Sequence, residues 1–258
     1  MLTKVEDAQP AAGGGGGRRL LWLAAALVAV IALLAAAWLA GRSSAPAARP
    51  APGSSGGPAP VSAVPAPPTI AAGQLRDTSQ TPPTTTPLNI DWRWTDGIWL
   101  PFSQPSSPNF AGPALVAGPV ASGYAHTPLG ALLAAEQIAA RTVAMPGGGW
   151  RAAVAAGVVP DAGRDAYVRS RASVDDSPPA GGYAQSAGFQ FVDYNPSAAV
   201  MQLVYRDPAG QLVVDTATVR WQGGEGGDWR LQLQPNGADS PVAQPVGTLT
   251  GYVSFGQV

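Results

Sequence analysis

The sequence predicts an α+β domain that stands outside a membrane on a long spacer, with its helices packed on one face of an antiparallel sheet. An uninterrupted apolar segment fills residues 20–40. Apolar residues then recur at the period of a helix over residues 128–172, and at the two-residue period of a strand from residue 189 onward. Helical segments followed by a run of strands are typical of α+β domains.

The apolar segment LLWLAAALVAVIALLAAAWLA has no charged side chain and carries Trp22 and Trp38 near its two ends. A helix of its 21 residues is about 31 Å long, close to the thickness of the hydrocarbon core of a bilayer. We therefore expect a single transmembrane helix over residues 20–41. A cleaved signal peptide is the alternative that the small residues after Ala40 leave open, although its apolar core is typically about 7–15 residues long.

Charge and length predict the orientation of this helix. Arg18 and Arg19 lie directly before it, and positively charged residues are retained preferentially on the cytoplasmic side. We expect residues 1–19 to form a short cytoplasmic tail and the rest of the chain to be extracellular. The predicted location is the cell membrane, with one pass through the lipid bilayer.

Residues 42–89 have the composition of a disordered linker. Of the 27 prolines in the chain, 11 fall in this region, between alanine, glycine, serine and threonine. Proline removes a backbone donor and fixes φ, and the region has too few bulky apolar residues to form a core. We expect a spacer that holds a domain of residues 90–258 clear of the lipid.

The composition limits the classes of site. The chain has no cysteine, which excludes disulfides and thiolate ligands, and its one histidine, His126, argues against an ordinary zinc site. Charged residues make up 12% of the chain and the formal net charge is −1. No basic field is present to hold DNA or RNA, so direct nucleic-acid binding is disfavoured. We assign no metal and no cofactor.

The first half of the domain is predicted to contain an extended segment rich in aromatic residues, followed by three helices. Tryptophans in the segment DWRWTDGIWLPFS, residues 91–103, predict an extended stretch that covers the flank of the core. Thr127 and Pro128 predict the N-cap and first turn of a buried helix that runs to Arg141. Glu136, Gln137 and Arg141 are expected on its solvent side. Shorter helices are predicted over residues 150–158 and 162–172.

The second half alternates with a period of two. Phe189 and Phe191 alternate with Gln190 and Val192, and Met201, Leu203 and Tyr205 alternate with Gln202, Val204 and Arg206. A turn is predicted at residues 207–210, followed by a long strand over 211–222. The side chains of Trp229, Leu231 and Leu233 are expected to face inward from a further strand, and a last strand is predicted within residues 251–255. This pattern predicts an antiparallel sheet with one packed face.

Two segments carry a resemblance to known proteins. They are GYAHTPLGALLAA, residues 123–135, and the region from VRW to GDWRL, residues 219–231. The domain resembles the cone-shaped NTF2-like fold of TcpC-like conjugation proteins and of type IV secretion inner-membrane scaffolds. It is most similar to a family of actinobacterial membrane proteins associated with integrative conjugative elements. The resemblance implies a non-catalytic scaffold of a conjugative transfer apparatus, with other channel proteins as partners and self-association left open.

NTF2-like cones also include isomerases, which need a carboxylate base and an acid or phenol donor. The candidates for base are Asp193 and Asp215, and those for donor are Tyr124, Tyr194 and Tyr205. The pattern favours an edge or salt-bridged position for Asp215, and His126 has no Ser or Cys partner that would form a triad. We therefore assign no catalytic residue and expect a protein that is not an enzyme.

A membrane-tethered small-ligand-binding or isomerase-like domain is the alternative. The interior of the domain distinguishes the two hypotheses. A scaffold is expected to fill it with Trp150, Phe189, Met201 and similar side chains, whereas a binder keeps an open polar pocket.

Overall fold

A computed structural model describes residues 74–238 and 243–257. The predicted cytoplasmic tail, the membrane anchor at residues 20–41 and most of the predicted linker lie outside these ranges. None of the helices within them is both long enough and apolar enough to cross a membrane.

Three helices occupy the predicted positions. Helix α1 is Pro128–Ala144, and its N-cap Thr127 accepts a hydrogen bond from the Gly130 amide at 3.2 Å. Helix α2 is Gly149–Gly157 and helix α3 is Ala162–Arg171. The side chain of Asp161 caps α3 by accepting hydrogen bonds from the amides of Gly163 and Arg164. These are donors that the start of a helix leaves without a backbone partner.

The main sheet has six strands, and its pairs are antiparallel. They are β5 (Gln185–Asn195), β6 (Ala198–Arg206), β7 (Leu212–Gln222), β8 (Asp228–Gln232), β9 (Gln244–Val246) and β10 (Val253–Ser254). The order is β10-β5-β6-β7-β8, with β9 also paired to β7. The predicted turn between β6 and β7 is confirmed by a 2.9 Å hydrogen bond from the Gly210 amide to the Asp207 carbonyl.

Helix α1 packs across β6, β7 and β8. Trp229 and Leu231 on β8 are each 1% exposed, whereas Arg230 and Gln232 between them are only partly buried. The opposite face is also partly packed, because Val204, Leu212 and Val214 form a smaller buried cluster there, so the prediction of a single packed face is wrong. Helices packed against an antiparallel sheet with alternate burial are typical of the α+β class. The predicted α+β class is therefore confirmed.

Two small hairpins precede α1. Strands β1 (Ile90–Thr95) and β2 (Ile98–Ser103) form the first, where the sequence predicts an extended lead-in. Trp92 reaches the core, with its ring 4.8 Å from that of Phe255. Trp94 is 58% exposed and packs edge-on against Trp99 of the same hairpin, with ring centroids 5.3 Å apart. Strands β3 (Leu115–Ala117) and β4 (Val120–Ser122) form the second, which is too short for the alternation of apolar residues to predict.

Residues 74–89, which the sequence assigns to the linker, form an arm that lies against the domain. Leu75 packs on the main core, and Thr127 Oγ1 donates to Asp77 Oδ2 at 2.5 Å. At the other end of the arm, Thr86 Oγ1 donates to the Ser254 carbonyl at 3.0 Å. These individual contacts leave no periodic pattern in the sequence. The folded domain thus begins before residue 90.

Candidate functional site

The space between the helices and the sheet is filled by apolar side chains. Trp150 is 1% exposed, and Phe189 and Met201 are 0% exposed. Leu132 and Leu133 of α1, both 0% exposed, meet them from the helix side. Among the described residues, the space between the helices and the sheet is therefore occupied by apolar side chains.

A carboxyl group is buried at the edge of this core. Glu136 is 2% exposed, and Ser186 Oγ donates to its Oε2 at 2.6 Å, while Oε1 has no hydrogen-bond partner in the structure. Burial raises the pKa of Glu136 to about 7, although the hydrogen bond from Ser186 opposes the shift. The side chain can hold or release a proton near neutral pH, but it does so out of contact with solvent.

Glu136, Gln137 and Arg141 were expected on the solvent side of α1, and this prediction is wrong. Gln137 is 0% and Arg141 is 3% exposed. Arg141 Nε donates to Gln137 Oε1 at 2.8 Å, and Gln137 Nε2 donates to the Pro101 carbonyl at 2.7 Å. Because the two hairpins cover this side of α1, Gln137 and Arg141 donate to hairpin carbonyl groups, those of Pro101 and Gly118, instead of to water. Glu136 faces Ser186 of β5 instead. Burial lowers the pKa of Arg141.

The two segments that carry the resemblance meet in space. The Asp228 carboxylate accepts from the amides of Gly123 at 2.8 Å and Tyr124 at 3.1 Å, and the Trp229 indole donates to the Ala125 carbonyl at 2.9 Å. Burial raises the pKa of Asp228, although these amides oppose the shift. Tyr124 is 1% exposed, and burial followed by the charge of Asp228 raises its pKa well above the ordinary range. This contact fixes the loop before α1 to the start of β8.

The candidate bases do not form one site. Asp193 is exposed on β5, whereas Asp215 is 7% exposed on β7, and β6 lies between the two strands. Asp215 pairs with Leu203 of β6. On the other side of β7, strand β9 pairs only up to Val214 and β8 only from Thr218 onward, so Asp215 lies between the two. The edge or salt-bridged position favoured for Asp215 stays a prediction.

The candidate donors are likewise dispersed. Tyr205 lies half-buried on β6, and Tyr194 Oη donates to Gln80 Oε1 at 2.8 Å. Burial, and then the charge of Asp77, raises the pKa of Tyr194 to about 12. His126 stacks on Trp221 with ring centroids 3.9 Å apart, and its Nε2 bonds the Pro196 carbonyl. His126 thus joins the loop before α1 to the turn between β5 and β6.

An open groove of about 440 Å³ runs along the outer end of β5. The arm forms one wall and the segment leading into β10 forms another. Its lining consists of Pro82, Pro83, Thr84, Gln190, Phe191, Val192, Asp193, Tyr194, Gly251 and Val253. Sequence reasoning missed this feature because residues 82–84 were assigned to the linker.

No group of three or more His, Cys, Asp or Glu side chains suited to a metal ion occurs in residues 74–238 and 243–257. The fold and the site thus define an α+β domain with a filled interior and an open groove at the edge of its sheet. The chain belongs to a family described as a domain of unknown function (DUF8175), whose model matches residues 53–254. No curated protein and no solved structure matches it.

Proposed function

We propose that this protein is a non-catalytic, membrane-anchored scaffold of a conjugative transfer apparatus of the type IV secretion kind. The observation that carries the proposal is the filled interior, because Trp150, Phe189 and Met201 occupy the space that an NTF2-like enzyme gives to its substrate. A domain whose described interior is filled in this way would act through its outer surface. Such a surface suits assembly with other channel proteins in the cell envelope.

The expected topology supports the same role. A single helix at residues 20–41 would hold the chain in the cell membrane with its N-terminus in the cytoplasm, and the linker would carry the domain outward. The arm of residues 74–89 would then connect the linker firmly to the domain, since it bonds to the loop before α1 and to β10.

One observation favours the alternative, a membrane-tethered small-ligand-binding or isomerase-like domain. Glu136 is a carboxyl group with a pKa near 7 and an unpartnered oxygen, which is the state that a general acid or base needs. Its exposure of 2% leaves a substrate no route to that oxygen without movement of α1. We therefore rank the scaffold first.

The experiment is complementation of a donor strain that lacks the gene. The full chain is expected to restore transfer of the element, and a chain without residues 1–41, directed outside the membrane by a cleavable signal, is expected not to. An untethered domain that restored full transfer would contradict a role as an anchored scaffold. Immunoblotting would confirm that both chains reach equal levels.

A further inference from the structure

We propose that the groove at the outer end of β5 binds a short extended segment of a partner protein, which adds to the sheet as a strand and places a basic residue beside Asp193. The inference rests on the scaffold role and specifies the surface and the chemistry of the contact. It concerns residues 190–195, where β5 forms the edge of the sheet.

The backbone of this part of β5 has one strand neighbour instead of two. Strand β10 pairs with β5 only at Gly188 and Phe189, whereas β6 pairs with it along its whole length. Beyond Phe189, the described residues add no further strand to that side. A row of backbone groups without a ladder is what peptide recognition by strand addition uses.

The arm passes this edge without closing it. Pro82 and Pro83 line the groove, and because proline has no amide hydrogen they cannot donate to a β ladder. Val192 is 61% exposed at the same place, so a sizeable apolar side chain lies open next to the free backbone. The arm and β10 act as walls on either side of a vacant strand position.

The groove also limits the length of its occupant. A segment that pairs with residues 190–194 spans about 16 Å. A bulge in β5 between Phe191 and Asp193 shifts the register there, and bulges restrict pairing to short stretches. The occupant is therefore a few residues of extended chain rather than a long strand.

Charge selects the chemistry of the occupant. Asp193 is the charged residue among those that line the groove, and no basic side chain lies among them. A lysine or arginine in the incoming segment would pair with it. A second copy of β5 fits less well, because it would bring another Asp193 and another bulge to the same place, and like charges across strands are destabilising.

The test uses the full chain in nanodiscs and two labelled synthetic octapeptides that alternate threonine and valine. One peptide has a central arginine and the other a central glutamate. We expect the arginine peptide to bind at least tenfold more tightly by fluorescence anisotropy. The substitution Val192→Lys should weaken its binding at least tenfold, because the new ammonium group occupies the groove and pairs with Asp193.

Two further variants make the result decisive. Val116→Lys, at a valine that is 44% exposed on β3, is the matched control and should leave binding unchanged. Asp193→Asn should reduce the preference for arginine over glutamate. Absence of binding, equal binding of both peptides, or equal effects of the two lysine substitutions would overturn the proposal.

Self-pairing is tested with Val192→Cys, which introduces the sole cysteine of the chain. We expect no disulfide-linked dimer on mild oxidation, and efficient cross-linking through this residue would overturn the proposal in favour of a second copy. The scaffold role is tested separately by its dependence on the anchor. If the peptides fail to bind while transfer still requires the tethered chain, the groove proposal alone fails.

Discussion

Ser186 Oγ lies 2.6 Å from Glu136 Oε2, which joins the middle of α1 to the first strand of the main sheet across 50 residues of sequence. The pair is buried, and burial of a carboxyl group favours its protonated form. The packing of α1 on the sheet therefore includes one contact whose strength depends on pH.

The stability of the domain should fall as the pH rises through this contact. The folded pKa of Glu136, about 7, lies above the ordinary value of 4.5, so its contribution is complete below about pH 4.5 and is lost as the pH approaches 7. The loss is roughly 3 kcal/mol. Glu136→Gln should remove this dependence in urea denaturation of the full chain in detergent between pH 5 and pH 8.

Glu225→Gln is the matched control, because Glu225 is exposed in the loop before β8. It should keep the pH dependence of the parent chain. Equal pH profiles for the parent and Glu136→Gln would show that Glu136 is not responsible.

Leu132 should be essential to the fold. It is 0% exposed on the face of α1 that meets the sheet, and Leu132→Ala removes buried methyl groups and leaves a cavity. We expect a loss of about 2–5 kcal/mol in the free energy of unfolding. Leu88→Ala, at a leucine that is 81% exposed, should change it by less than about 0.5 kcal/mol. Similar values for the two variants would contradict the packing described.

The arm and the linker should differ in their effect on stability. Deleting residues 46–68 removes predicted spacer and should leave the melting temperature unchanged. Leu75→Ala removes part of a side chain that packs on the core and should cost about 1 kcal/mol. Differential scanning fluorimetry compares the two variants. A large drop in melting temperature on deletion, with no drop for Leu75→Ala, would show that residues 46–68 belong to the folded domain and that the arm does not.

The predicted topology is tested in cells. Arg18 and Arg19 favour a cytoplasmic N-terminus, so protease added to intact protoplasts should remove the domain and a cytoplasmic marker should survive. Digestion of the domain only after lysis would show that it lies on the cytoplasmic side of the membrane.

The sequence predicted the helices and the long strands because their signals are local. Thr127 and Pro128 mark the start of α1, and alternation marks β6 to β8. The predicted solvent-side position of Glu136 was wrong, because a polar side chain on an apolar helix is expected to face solvent unless the strands that cover it are known. The arm escaped prediction for a related reason. Its contacts, such as that of Asp77 with Thr127, join distant residues singly and leave no periodic pattern.

The frequency of element transfer supported by Glu136→Gln tests the central claim most directly. This substitution keeps the shape of the side chain but removes its ionisation, and the domain should remain folded by thermal melting at pH 7. A scaffold with a filled interior predicts transfer close to that of the parent chain in the complemented donor strain. Loss of transfer, with the variant folded, anchored and present at normal levels, would contradict the scaffold and favour a carboxyl group that acts on a bound ligand.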